Sequence, residues 1–155
     1  MKKIISIILA AALLLSLAAC GGEKAPAKEP VDLTALYESF GPSLPEMWGL
    51  DEDMLLNMFG IQAVDCNQVI TAIVSTGLAA DEVWLIEAKD EAALEKLQAL
   101  AEARIQAKDE ETVSYNPEQN AVVRNAQVFT EGNYLFLLVS PDVDALKAQV
   151  EAALQ

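Results

Sequence analysis

The chain predicts an α+β fold: an antiparallel sheet of about four strands with helices on one face, in the order ααββαββα. Three observations carry this. Residues 68–76 and 82–88 are dense in β-branched and aromatic side chains, and residues 134–139 are apolar throughout. Stretches with apolar residues three and four apart alternate with these runs. Glycine, proline and asparagine punctuate the boundaries.

Taken in order, the first helix covers residues 32–40. Asp32 caps it, Leu33, Leu36, Tyr37 and Phe40 recur on one face, and Gly41 ends it. Residues 41–50 form a loop, broken by Pro42 and Pro45 and carrying Met47 and Trp48. A second short helix has Asp51 as its cap, Leu55, Met58 and Phe59 turned inward, and Gly60 at its exit. Neither helix is long enough to be stable alone, so both must pack on something. The strand over 68–76 is built on Val69, Ile70, Thr71, Ile73 and Val74, and a turn leads to the strand 82–88 with Val83, Trp84, Leu85 and Ile86. The longest helix runs over 90–108, with Leu94, Leu97, Ala101 and Ile105 on one stripe. A third strand is expected over 122–130, made irregular by Arg124 and Asn125. Glu131-Gly132-Asn133 then reads as a hairpin turn. Residues 134–139 should be a central strand buried on both faces. Ser140 caps the last helix with Pro141 at its first position, and Val143, Leu146, Val150 and Leu154 face inward.

The segment before this domain carries targeting chemistry. Lys2 and Lys3 precede an apolar run over 4–17, and Leu17-Ala18-Ala19-Cys20 follows. Small residues directly before a cysteine, at the end of an apolar run, are what lipoprotein processing recognises. Residues 1–19 are therefore read as a signal peptide and Cys20 as the lipid attachment site. Residues 20–30, with Gly21, Gly22, Pro26 and Pro30, are read as a flexible tether. Residues 31–155 suit a single domain. These expectations place the protein at the cell membrane, lipid-anchored on the extracytoplasmic face.

Composition narrows the function. The net charge is −14, and −16 once Lys2 and Lys3 are removed. Such a surface repels phosphate backbones and anionic headgroups, which argues against nucleic-acid binding. With Cys20 acylated, Cys66 lacks an intramolecular disulfide partner and is expected to act as a small buried residue. The chain has no histidine, which removes serine and cysteine triads and most zinc sites. The acidic pairs Asp51/Asp53, Asp109 with Glu110 and Glu111, and Asp142/Asp144 lack the pattern of a calcium loop and read as capping or surface charge. No catalytic, cofactor-binding or metal-ligating set is expected, and the protein is read as non-enzymatic. Within the loop 41–50, Met47 and Trp48 are the candidate partner contact, with packing beneath the two small helices as the competing role. Tyr115 and Pro117 pose the same question more faintly.

Several stretches resemble one family. Leu44-Pro45-Glu46-Met47, Leu50-Asp51-Glu52-Asp53-Met54-Leu55 and Phe59-Gly60-Ile61 resemble the opening of a small lipoprotein domain of Gram-positive bacteria. Ala80-Asp81-Glu82-Val83 and Glu87-Ala88-Lys89-Asp90 resemble its middle, and Asn120-Ala121-Val122-Val123 with Gly132-Asn133-Tyr134 through Ser140 resemble its end. The chain is identified as a member of the domain of unknown function 4358 over residues 31–155, with a shorter segment over 112–119. The resemblance implies the fold and an envelope location and brings no catalytic residues. The expected function is an extracytoplasmic interaction module with an envelope protein as partner. The alternative is a small-ligand or peptide carrier at the membrane surface.

Overall fold

A computed structural model describes residues 30–155, apart from 76, 78 and 115. Cys20, the residues read as a signal peptide, most of those read as a tether, and Tyr115 lie outside the described residues. Val31–Gln155 forms one compact unit.

The elements are α1 (Leu33–Phe40), β1 (Met47–Gly49), α2 (Glu52–Phe59), β2 (Cys66–Val74), β3 (Glu82–Ala88), α3 (Glu91–Thr112), α4 (Pro117–Arg124), β4 (Gln127–Glu131), β5 (Tyr134–Val139) and α5 (Val143–Ala153). The strands form one antiparallel sheet in the order β1-β2-β3-β5-β4. The α+β class and the antiparallel sheet are as the sequence predicts, with five strands in place of about four. The added strand is β1, which lies inside the stretch read as a loop. The third strand begins later than expected, because residues 122–124 belong to α4. Pro117 at the first turn and Asn116 accepting from the Gln119 amide start that helix, which periodicity alone did not separate from the strand.

Helices on one face is the expectation that fails. Trp84, Ile86 and Ala88 of β3 and Leu135, Leu137 and Val139 of β5 face a core closed by α2, α3 and α4. Val83 and Leu85 of β3 and Phe136 and Leu138 of β5 face a second core closed by α1 and α5. Successive strand residues point to opposite faces, so a strand apolar at both parities needs cover on both sides. All six residues of β5 are buried, as expected for an interior strand.

Local chemistry sets the helix ends. The Asp32 carboxylate accepts from the amides of Thr34 and Ala35, Asp51 from Met54, and Asp90 from Ala93. Gly60 ends α2 in the left-handed region at φ 73°, and Gly132 takes φ 59° in the hairpin where Glu131 pairs with Tyr134. Met58 is 52% exposed and not turned inward as expected, while Leu55 and Phe59 of the same helix are buried. Helix α5 starts at Val143, two residues after Pro141. The cap position is therefore Asp142 and not Ser140 as expected; the Ser140 hydroxyl accepts from the Asp142 amide at 3.2 Å, in the turn before the helix.

Candidate functional site

Two sets of residues stand out: a free sheet edge at β1 and a buried charge cluster beneath α3. Among the described residues strand β1 pairs only with β2, in the register Met47↔Val74, Trp48↔Ile73 and Gly49↔Ala72. The Leu50 amide donates to the Thr71 carbonyl at 3.1 Å, and the Ser75 amide donates to the Glu46 carbonyl at 3.0 Å. Met47 and Trp48 part company here. Met47 is partly buried and packs against the core under α1. Trp48 is 55% exposed on the opposite face, so the role of packing beneath the small helices does not apply to it. Beside Met47 lies a cleft of about 170 Å³ lined by Tyr37, Glu38, Gly41, Leu44, Pro45 and Met47.

The charge cluster centres on Glu82, which is fully buried. Its carboxylate accepts from Arg104 Nε at 3.0 and 3.1 Å, Arg104 Nη2 at 2.8 Å, Lys108 Nζ at 2.8 Å and Trp84 Nε1 at 2.8 Å. Burial pushes the Glu82 carboxyl up, but the Arg104 hydrogen bonds and the two cations outweigh it, and the net lies below the usual carboxylate range. Arg104 also sits over the Phe59 ring at 5.0 Å. Sequence reasoning missed this cluster. A signal existed: Leu97, Ala101, Arg104 and Lys108 are spaced four, three and four, so the inward stripe of α3 runs straight into two cations. Two cations on an inward stripe call for a buried anion opposite.

Asp65 and Asp109 also have structural partners. Asp65 pairs with Lys96 at 2.6 Å and Lys89 at 3.3 Å, and those bonds hold its carboxyl below the usual range. Asp109 accepts from Arg124 and Asn120, which lowers it in the same way. Cys66, expected to be a small buried residue, is half-buried and packs against the core, and its thiol lies 3.7 Å from the Gln62 carbonyl. Burial and the nearby Asp65 charge push that thiol up to about 11. It is held in the protonated form, which is the poor nucleophile. Among the described residues no group of three Asp, Glu or Cys side chains is arranged to hold a metal ion, and no described helix is long and apolar enough to cross a membrane.

A second cleft, about 490 Å³, lies near the end of α3, with Ala79, Ala80, Lys108, Glu111, Thr112 and Gln119 among its walls. Gln119 closes part of it by accepting the Ala80 amide at 2.7 Å.

Compared with known proteins, the chain matches over residues 42–140 the sequence model of a family described as Domain of unknown function (DUF4358). No curated protein and no solved structure matched it.

Proposed function

The chain belongs to the DUF4358 family, and from that premise we propose that it is a non-enzymatic protein-interaction module. In this reading lipid on Cys20 holds it at the extracytoplasmic face of a cell membrane, and the β1 edge meets an envelope protein there. The observation that carries the reading is Trp48, a large aromatic 55% exposed on a strand that pairs on one side only. Aromatic side chains set in a defined surface are the usual anchors of protein interfaces. Buried Trp84 shows the contrast: its ring is enclosed and its N–H satisfied by Glu82. The ion-paired carboxylates and the high thiol of Cys66 support a binding role over a catalytic one.

Crosslinking in cells carrying the full-length protein, followed by mass spectrometry, tests this. One envelope partner captured by the native protein and lost on Trp48→Ala is the expected result. Partners unchanged by Trp48→Ala would remove β1 as the contact. Palmitate labelling tests the anchor, with incorporation lost on Cys20→Ala expected, and labelling that persists contradicting it.

The second reading, a small-ligand carrier, is favoured by the 490 Å³ cleft beside Lys108. Lys108 already spends its charge on Glu82 at 2.8 Å, which leaves the cleft a weaker anchor. A thermal-shift screen that raises Tm for one small-molecule class would favour this reading.

A further inference from the structure

The register at β1 defines what an incoming chain would meet. In an antiparallel pair, residues that bond across the ladder alternate with residues whose backbone groups point away. The bonds of Glu46 to Ser75 and Leu50 to Thr71 set that alternation, so Trp48 bonds inward with Ile73. Met47 and Gly49 then direct their N–H and C=O groups to the free side of the sheet. The two faces beside that free side differ. On one, Met47 borders the 170 Å³ cleft, whose walls include Tyr37, Leu44 and Pro45. On the other stands the exposed Trp48 ring, with Asp51, Glu52 and Asp53 following it along the chain.

Charge then selects the occupant. Residues 31–64 contain Asp32, Glu38, Glu46, Asp51, Glu52 and Asp53 and no Lys or Arg. Edge strands in soluble domains are commonly guarded by lysine, and this edge carries the opposite sign. The other sheet edge differs: at β4 the Phe129 ring is covered by Lys147 at 5.2 Å, and Arg124 ends the preceding helix. A second copy docking β1 on β1 would set acid against acid, and anionic headgroups would be repelled as well.

We propose that β1 is a docking strand that accepts, as a sixth strand of the sheet, an extended segment of a partner protein alternating basic and apolar residues. This rests on the interaction-module reading and names its partner's chemistry. The backbone of Met47 and Gly49 supplies the pairing. Apolar side chains of the segment enter the cleft beside Met47. Basic side chains lie on the opposite face, over the Trp48 ring and toward the acidic start of α2. Strand alternation requires this division, because neighbouring side chains of the incoming segment must point to opposite faces.

The test uses full-length protein in detergent micelles and a synthetic nine-residue peptide alternating lysine and valine, with a glutamate–valine peptide as control. Expected are binding of the lysine peptide alone, and amide exchange slowed at Met47 and Gly49 when it binds. Gly49→Pro removes an outward donor and leaves Trp48 in place; its Cβ has space, meeting only the Thr71 carbonyl oxygen at 4.0 Å. That variant should weaken binding about fivefold or more, the factor for one lost hydrogen bond. Should Gly49→Pro misfold, the exchange measurement on the native protein decides. Equal binding of the two peptides, or binding with no protection at Met47 and Gly49, overturns the proposal. A cellular partner lost on Trp48→Ala but indifferent to Gly49→Pro would keep the interaction module and remove strand addition. Absence of any Trp48-dependent partner would remove both.

Discussion

Glu82 and Trp48 sit at opposite extremes of exposure, and their chemistry follows from that. Glu82 is a buried anion balanced by two cations whose side chains are 21% and 10% exposed. Removing its charge leaves Arg104 and Lys108 close together and uncompensated. Glu82→Gln should therefore destabilise the domain by about 3–5 kcal/mol, read from denaturant midpoints. A loss below about 1 kcal/mol would mean the cations relax into solvent. Replacing all three residues with apolar ones of similar volume should recover most of that stability. Trp48 is more than half exposed, so Trp48→Ala should change stability by no more than about 0.5 kcal/mol, which makes it a clean probe of binding. The Glu82 cluster was only partly legible in the sequence. A glutamate on a strand does not declare its face until the facing helix is known, and α3 packs there through tertiary contact.

At the scale of elements, the caps were the most legible feature, because Asp32, Asp51 and Asp90 act through bonds to amides two or three residues away. Gly60 was legible for the same reason. At φ 73° it occupies a region that L side chains rarely adopt, so Gly60→Ala should lower stability by about 1 kcal/mol, seen as a lower urea midpoint with unchanged slope. An unchanged midpoint would show that the turn after α2 relaxes. Strand β1 was not legible: three residues after two prolines carry no periodicity, and they become a strand only because β2 offers its edge. The placement of helices on both faces departs from the expectation, although its signal stood in β5, whose apolar residues at both parities require two covers. Glu91–Thr112 outran its expected end at Lys108 for a related reason: polar residues continue a helix when Asp109 and Thr112 have partners on α4, and both bond to Asn120.

For the molecule as a whole, acidity shapes stability and, in the proposed reading, the choice of partner. Against Asp81, whose carboxyl burial pushes up, Asp65, Glu82, Glu87 and Asp109 all have carboxyls lowered in the folded state. Each holds its proton less tightly folded than unfolded, so its contribution is present above the unfolded value of about 4 and is lost as pH falls through the lower folded value. Stability should be flat near neutrality and fall steeply below about pH 4, with the fall shallower in Glu82→Gln. A curve that rises on acidification would contradict these assignments. In the proposed reading the same acidity turns the β1 edge toward cationic partners, while Lys147 and Arg124 mark the β4 end of the sheet. Family membership was legible in the turns and strand starts, which recur as short motifs. The proposed partner was not, because the edge proposed to bind it has only a free backbone and one exposed ring to mark it. The most direct test of the central claim places a photo-crosslinking phenylalanine analogue at position 48, and separately at position 127 on β4, in the full-length protein in cells. The account predicts one envelope-protein adduct from position 48 and not from position 127. Equal capture from both edges, or capture from 127 alone, would contradict it.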